Sequence, residues 1–170
     1  MSDVLFTIGY EAATLSALIA ELRAAGVEVV VDVRAVAASR RAGFSKTILG
    51  TSLEAEGIAY EHLRSLGTPK AGREAARKGR VGEMEEIFGA HMETLEAQHG
   101  LARAISIARG RRAALLCFEA CAAGCHRRIV ADMICEEIGT AVEHLRPVAD
   151  AGPKVREKTR EKAREKAREE

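Results

Sequence analysis

Residues 27–33 read VEVVVDV, and no other stretch of the chain constrains the fold as strongly. A run so rich in β-branched apolar residues is a strand. Its apolar positions hardly alternate with polar ones, so both faces are buried, as in a parallel sheet covered by helices on either side. Around this run, short apolar segments take turns with segments of helical spacing. Val4–Ile8 makes a first strand that stops at Gly9-Tyr10. Thr14 caps a helix in which Leu15, Leu18, Ile19 and Leu22 recur, and Gly26 closes it.

Further along, residues 35–45 form a small, basic, glycine-containing loop, followed by a helix over 46–56 that ends at Gly57. Ile58–Tyr60 is a short third strand, leading to a turn at Thr68-Pro69. Residues 70–82 are polar and basic and carry no pattern that assigns a regular structure. Residues 83–108 read as one long helix, or two broken near Gly100. A strand over Ala113–Phe118, a helix through Ile138 and a last strand, Ala141–Leu145, complete the series. Such alternation predicts an α/β fold with a mostly parallel sheet of about five strands, because right-handed crossovers place helices on both faces.

A chain of 170 residues, 47 % hydrophobic and 30 % charged, suits a single α/β domain over 1–150 with a full core. Residues 151–170 are different. They repeat REKx every four residues, which supports a solvated helix through i, i+4 pairs but offers no apolar stripe. From Lys154 onward there are eight Lys/Arg against five Glu. With +1 in total, the preceding 153 residues therefore carry −2.

A slightly acidic domain has no electrostatic footprint for duplex nucleic acid. Aromatics at 4 % and the absence of Trp also argue against a base-stacking platform. The four cysteines, at 117, 121, 125 and 135, crowd into one span rather than spreading as in a secreted disulfide scaffold. MSDVLFTIGY lacks a basic segment followed by a long apolar one, and no apolar run reaches membrane-spanning length. The expectation is a cytoplasmic protein with reduced thiols and no membrane partner.

The chemistry concentrates in residues 113–128, AALLCFEACAAGCHRR. An apolar strand, a short loop and a helix start would set Cys125, His126 and Arg127 at the carboxyl edge of the sheet, where open α/β folds bind ligands. The residues just past the other strands converge there: Gly9, Tyr10, Asp32, Arg34, Glu119 and His144. Cys125 beside a helix N-terminus and Arg127 would have its thiolate favoured. Arg34 and Arg127 would hold a carboxylate or phosphate in bidentate fashion. Cys117 and Cys135 read as small hydrophobes, His62, His91 and His99 as surface residues, and Arg112 and Arg128 as solvated.

Two sharper patterns overlap this stretch. Cys121 to Arg127 fits Cys-x5-Arg, the phosphate cradle of cysteine phosphatases, although Ala120 stands where those enzymes place a histidine. Cys117, Cys121, Cys125 and His126 are potential zinc ligands, but paired CxxC knuckles are missing, so no metal and no cofactor is expected.

Together these residues carry a resemblance. Thr7-Ile8-Gly9-Tyr10, Asp32-Val33-Arg34, Ser39-Arg40 with Phe44-Ser45-Lys46, Leu66-Gly67, Cys117-Phe118-Glu119 and Cys125-His126-Arg127 stand in the order and spacing of the domain of unknown function 488 family. His91-Met92-Glu93-Thr94 and Val142-Glu143-His144-Leu145 resemble that family too. The likeness spans about residues 4–146. Ala37 or Ala38 replaces a frequent proline, and Cys121 occupies a position that is usually not cysteine. The resemblance implies a Rossmann-like three-layer α/β domain with a polar pocket built from these motifs.

The functional expectation is an enzyme acting on a small anionic or nucleotide-like substrate. Cys125, His126, Glu119 and Asp32 would serve as catalytic groups. Arg34, Arg127, Gly9, Tyr10 and His144 would form the binding residues. A binding module that senses an anion or a nucleic-acid end without turnover is the rival reading.

Overall fold

The valine run becomes β2 (Val29–Asp32), in which all four residues are buried. Its neighbours are β3 (Ala59–His62) and β4 (Ala113–Cys117), and β1 (Val4–Gly9) and β5 (Ala141–Leu145) extend the sheet beyond β4. The order is β3-β2-β4-β1-β5, and every pairing is parallel. The computed structural model describes residues 4–148. The charged extension over 151–170 and the boundary at 150 lie outside the described residues.

Alternate strand residues feed two cores, one on each face. Phe6, Ile8, Val30, Ala114 and Leu116 pack with Leu18 and Leu22 of α1 (Leu15–Ala24) and Leu49 and Leu53 of α2 (Lys46–Ala55). Leu5, Val29, Val31, Ala113, Leu115 and Cys117 face the other way. They meet Met84 and Phe88 of α4 (Val81–Met92), Ala104 and Ile107 of α5 (Leu95–Gly110), and Val130 and Ile134 of α6 (His126–Ile138). This is the three-layer arrangement that a doubly buried valine strand demands.

Local chemistry explains the element ends. Thr14 caps α1 by accepting from the backbone of Ala17 at 3.2 Å, and Gly26 follows at φ 67. Residues 70–82, whose polar sequence carries no regular pattern, contain α3 (Lys70–Arg77) and the start of α4. The break in 83–108 falls at Glu93-Thr94, not at Gly100. Thr94 accepts from the backbone of Ala97 at 3.3 Å, making it the cap of α5. Gly100 sits inside that helix because a Cβ there would come within 2.2 Å of Ser65 Oγ.

Several side chains are less exposed than their sequence settings suggest. His62 Nε2 lies 2.8 Å from the carbonyl of Arg34, and His91 Nε2 lies 2.6 Å from that of Ser65. Arg112 reaches the carbonyl of Ala25 and stacks over Phe6, and Arg128 pairs with Glu85 at 2.7 Å. No helix among the described residues is long and apolar enough to cross a membrane.

Candidate functional site

The carboxyl ends of β1, β2 and β4 open onto a cavity of about 350 Å³. Its floor is Cys117, the last residue of β4, together with Glu119 of the following loop and Cys125-His126 at the start of α6. Tyr10, Phe118 and Met84 supply apolar wall, and Arg40, Arg73 and Arg77 line it as well. The loop after β4 turns through a short 3₁₀ segment, Ala122–Gly124, and the backbone of Cys125 donates to Ala122 at 3.0 Å. That turn folds α6 back so that its first residues return to the strand they left.

The floor is tightly knit. Glu119 Oε2 accepts from Cys117 Sγ at 3.3 Å and from Cys125 Sγ at 3.1 Å. His126 Nδ1 stands 3.8 Å from Cys117 Sγ and 3.9 Å from Cys125 Sγ. Its Nε2 lies 2.8 Å from the carbonyl of Val33. A carbonyl only accepts, so Nε2 carries the hydrogen and the neutral ring keeps its lone pair at Nδ1. The ring also meets Phe88 edge-on at 5.2 Å between centroids.

Cys125 departs from its sequence reading. It is 2 % exposed, and its thiol is pushed well above the ordinary value, first by the hydrogen bond with Cys117 and then by burial. The charge expected to favour the thiolate is turned elsewhere: Arg127 does not line the cavity. For His126, burial opposes the imidazolium most, yet contacts with Cys125 and Val33 outweigh it and raise the pKa.

Asp32, Arg34 and Arg127 are present as expected but spent within the protein. Asp32 is fully buried. It accepts from Arg34 Nε at 2.9 Å, from Arg34 Nη2 at 2.6 Å and from the Tyr60 hydroxyl. Burial drives the Tyr60 pKa up, aided by Asp32. Arg34 gives its remaining nitrogen to the Tyr10 hydroxyl at 2.9 Å and the Phe44 carbonyl at 2.8 Å. Burial alone would lower its pKa, but Asp32 and Tyr10 reverse that and raise it. Arg34 touches the cavity, whereas Asp32 does not.

Arg127 is likewise fully buried. It donates to Thr7 Oγ1 at 3.2 Å and to the carbonyls of Glu119 and Ala120. Neither arginine has the bidentate edge that an incoming anion would need. The cations with side chains at the cavity mouth are instead Arg40 and Arg77, both exposed, and the half-buried Arg73. The basic character of 35–45 and 70–82 was the signal for them. The polar sequence of 70–77 does not declare the helix that sets Arg73 and Arg77 one turn apart.

Gly9 and His144 also lie off the cavity. A Cβ at Gly9 would stand 1.7 Å from the Glu119 carbonyl, so this glycine lets β1 and the loop after β4 approach. His144 is exposed on β5 and bonded to Thr7. Cys121 is exposed and lines a separate depression with Gly9, Ala120 and Arg146. A phosphatase cradle requires its cysteine and arginine to face one anion. Here Cys121 faces solvent while Arg127 is buried against carbonyls, so the Cys-x5-Arg pattern does not form that cradle.

The fold and site define an α/β protein with an all-parallel five-stranded sheet and a cysteine- and histidine-floored cavity at its carboxyl edge. The family model described as Domain of unknown function DUF488 matches residues 14–134, and the chain belongs to that family. Gly9, Tyr10 and His144 fall outside the matched span. No curated protein and no solved structure matches the chain.

Proposed function

We propose that the cavity binds a small anionic, nucleotide-like compound and that the protein acts on it as an enzyme. The single observation behind this reading is that two thiols, each in contact with both Glu119 and His126, floor a cavity lined by Arg40, Arg73 and Arg77. Arginine forks suit a phosphate or carboxylate, and a wall of Tyr10 and Phe118 suits a planar ring beside it. In this reading the rim arginines hold the anion, replacing Arg34 and Arg127 in that part. Glu119, half-buried and facing the cavity, and His126 are the groups placed to move protons.

Calorimetric titration with pyrophosphate and with adenosine monophosphate tests the binding half. The double variant R73Q/R77Q should bind either probe at least tenfold more weakly, a loss of about 1.4 kcal/mol. Equal binding by wild type and variant, or none by either, overturns the reading. Product analysis after prolonged incubation with any bound compound separates turnover from sensing. Sensing without chemistry is favoured by one feature, the near-complete covering of Cys125, which leaves its sulfur little room for in-line attack.

A further inference from the structure

We infer that Cys117, Glu119, Cys125 and His126 form a binding site for a single zinc-class divalent ion. The ligand atoms of Cys117, Cys125 and His126 all lie within 4.8 Å of one another, and all three residues are buried. Glu119 Oε2 joins them at 3.3 and 3.1 Å from the two sulfurs, and His126 Nδ1 is 3.8 and 3.9 Å from them. Zinc bonds of about 2.3 Å to sulfur and about 2.0–2.2 Å to nitrogen or oxygen make tetrahedron edges of roughly 3.5 Å. The Glu119–thiol and His126–thiol edges bracket that value. An ion held by Cys117, Cys125 and His126 would need only small shifts of those side chains, and Glu119, which stands outside that compact trio, would turn its carboxylate in to complete the set.

Three further features fit an ion and not merely a hydrogen-bonded cluster. First, the histidine is oriented as a ligand, because its Nε2–H is held by the Val33 carbonyl and its Nδ1 lone pair is aimed at the sulfurs. Second, among the described residues the Glu119 carboxylate forms no salt bridge, and its hydrogen-bond partners are the two thiols alone. A divalent ion would offset two of the three negative charges of this carboxylate and two thiolates, with the thiol protons released to solvent. Third, three of the four ligands come from rigid places, a strand end, a helix cap and the first turn of that helix, and Glu119 alone comes from the loop between them.

Absent paired knuckles led the sequence to predict no metal; the fold supplies the proximity that local spacing does not. The four groups also line the cavity, so a bound ion would face it and would offer a position to solvent or ligand where Glu119 moves aside. This inference stands on the cluster and not on the anion-binding reading, and with an ion bound Glu119 and His126 serve as its ligands and not as proton carriers.

The test uses the full chain, purified under reducing conditions without chelator. Elemental analysis should find about one zinc-class ion per chain. After metal removal, titration with Co²⁺ should produce a thiolate-to-cobalt charge-transfer band and the intense visible bands of a tetrahedral site, saturating at one equivalent. C117S, C125S and H126Q should abolish or shift that spectrum. E119Q, at a half-buried position, should weaken Co²⁺ binding at least tenfold while leaving the fold intact. C121S and C135S should leave spectrum and affinity unchanged. No charge-transfer band with folded wild type, or a band retained in E119Q at full affinity and lost in C121S, overturns the site. Pyrophosphate binding measured on the metal-free protein reports on the arginine rim separately.

Discussion

Thr7 Oγ1 lies 2.7 Å from His144 Nδ1, joining the middle of β1 to its edge neighbour β5. The same oxygen accepts from Arg127 Nε at 3.2 Å, so its own hydrogen is free to donate to the imidazole. His144 is therefore held as a neutral acceptor. Partial desolvation of the ring where it meets Thr7, and then the charge of Arg127, lower its pKa.

This geometry gives the first prediction. A histidine with a lowered folded pKa contributes stability that is fully present above its unfolded value of about 6.5. That contribution is lost as pH falls through the folded value. Urea unfolding at pH 7.5 and 5.5 should show wild type losing more stability over that interval than H144Q. An identical pH dependence in both proteins would remove His144 from the account.

Substituting Gly9 tests how the loop after β4 is seated. The added methyl of G9A meets the Glu119 carbonyl at 1.7 Å and lies 3.0 Å from Arg127 Nη1. Overpacking against backbone should cost about 1–3 kcal/mol. The expected readout is a lower melting temperature, together with weaker Co²⁺ binding because the Glu119 carboxylate moves with its backbone. A variant as stable as wild type would mean the strand and loop can separate freely.

D32N addresses the pair that the sequence suggested as substrate-facing. The Asp32–Arg34 contact, with Nη2 to Oδ2 at 2.6 Å, is almost completely buried. Removing one partner strands a buried guanidinium, and such changes cost about 3–5 kcal/mol. Chemical denaturation should register a loss of that size. A mild effect on stability would place Asp32 in binding or chemistry instead.

Thiol accessibility supplies the fourth prediction. Cys121 is exposed, Cys135 intermediate, and Cys117 and Cys125 buried. Brief alkylation of metal-free native protein, followed by peptide mapping, should label Cys121 first and Cys135 more slowly. Cys117 and Cys125 should wait for denaturant. Early labelling of Cys125 would restore it as a ready nucleophile.

The sheet was legible because its signals are local. The valines of β2, the apolar run of β4 and the cap at Thr14 each declare themselves within a few residues. Helix α3 was not, since KAGREAAR has no apolar stripe and buries only Gly72 and Ala75. Arginine roles were the least readable. Arg34 and Arg127 stand at strand and helix ends like ligand-binding residues, yet their partners, Tyr10, Thr7 and Phe44, come from distant segments. Cys117 read as a core hydrophobe because it ends a buried strand. Its second neighbour, Glu119, belongs to the loop, and only the return of α6 brings Cys125 and His126 against both.

The floor and the rim of the cavity belong to different parts of the chain. Cys117, Glu119, Cys125 and His126 are tied to β4 and α6, the scaffold on which the fold depends. Arg73 and Arg77 ride on α3, an eight-residue helix whose inward face is a glycine and an alanine. Selection can therefore rewrite the rim without disturbing the floor. Under the proposed function, exchange of charge or bulk on α3 would redirect ligand choice while the floor stays constant, so divergence in this family should be sought first in residues 70–77.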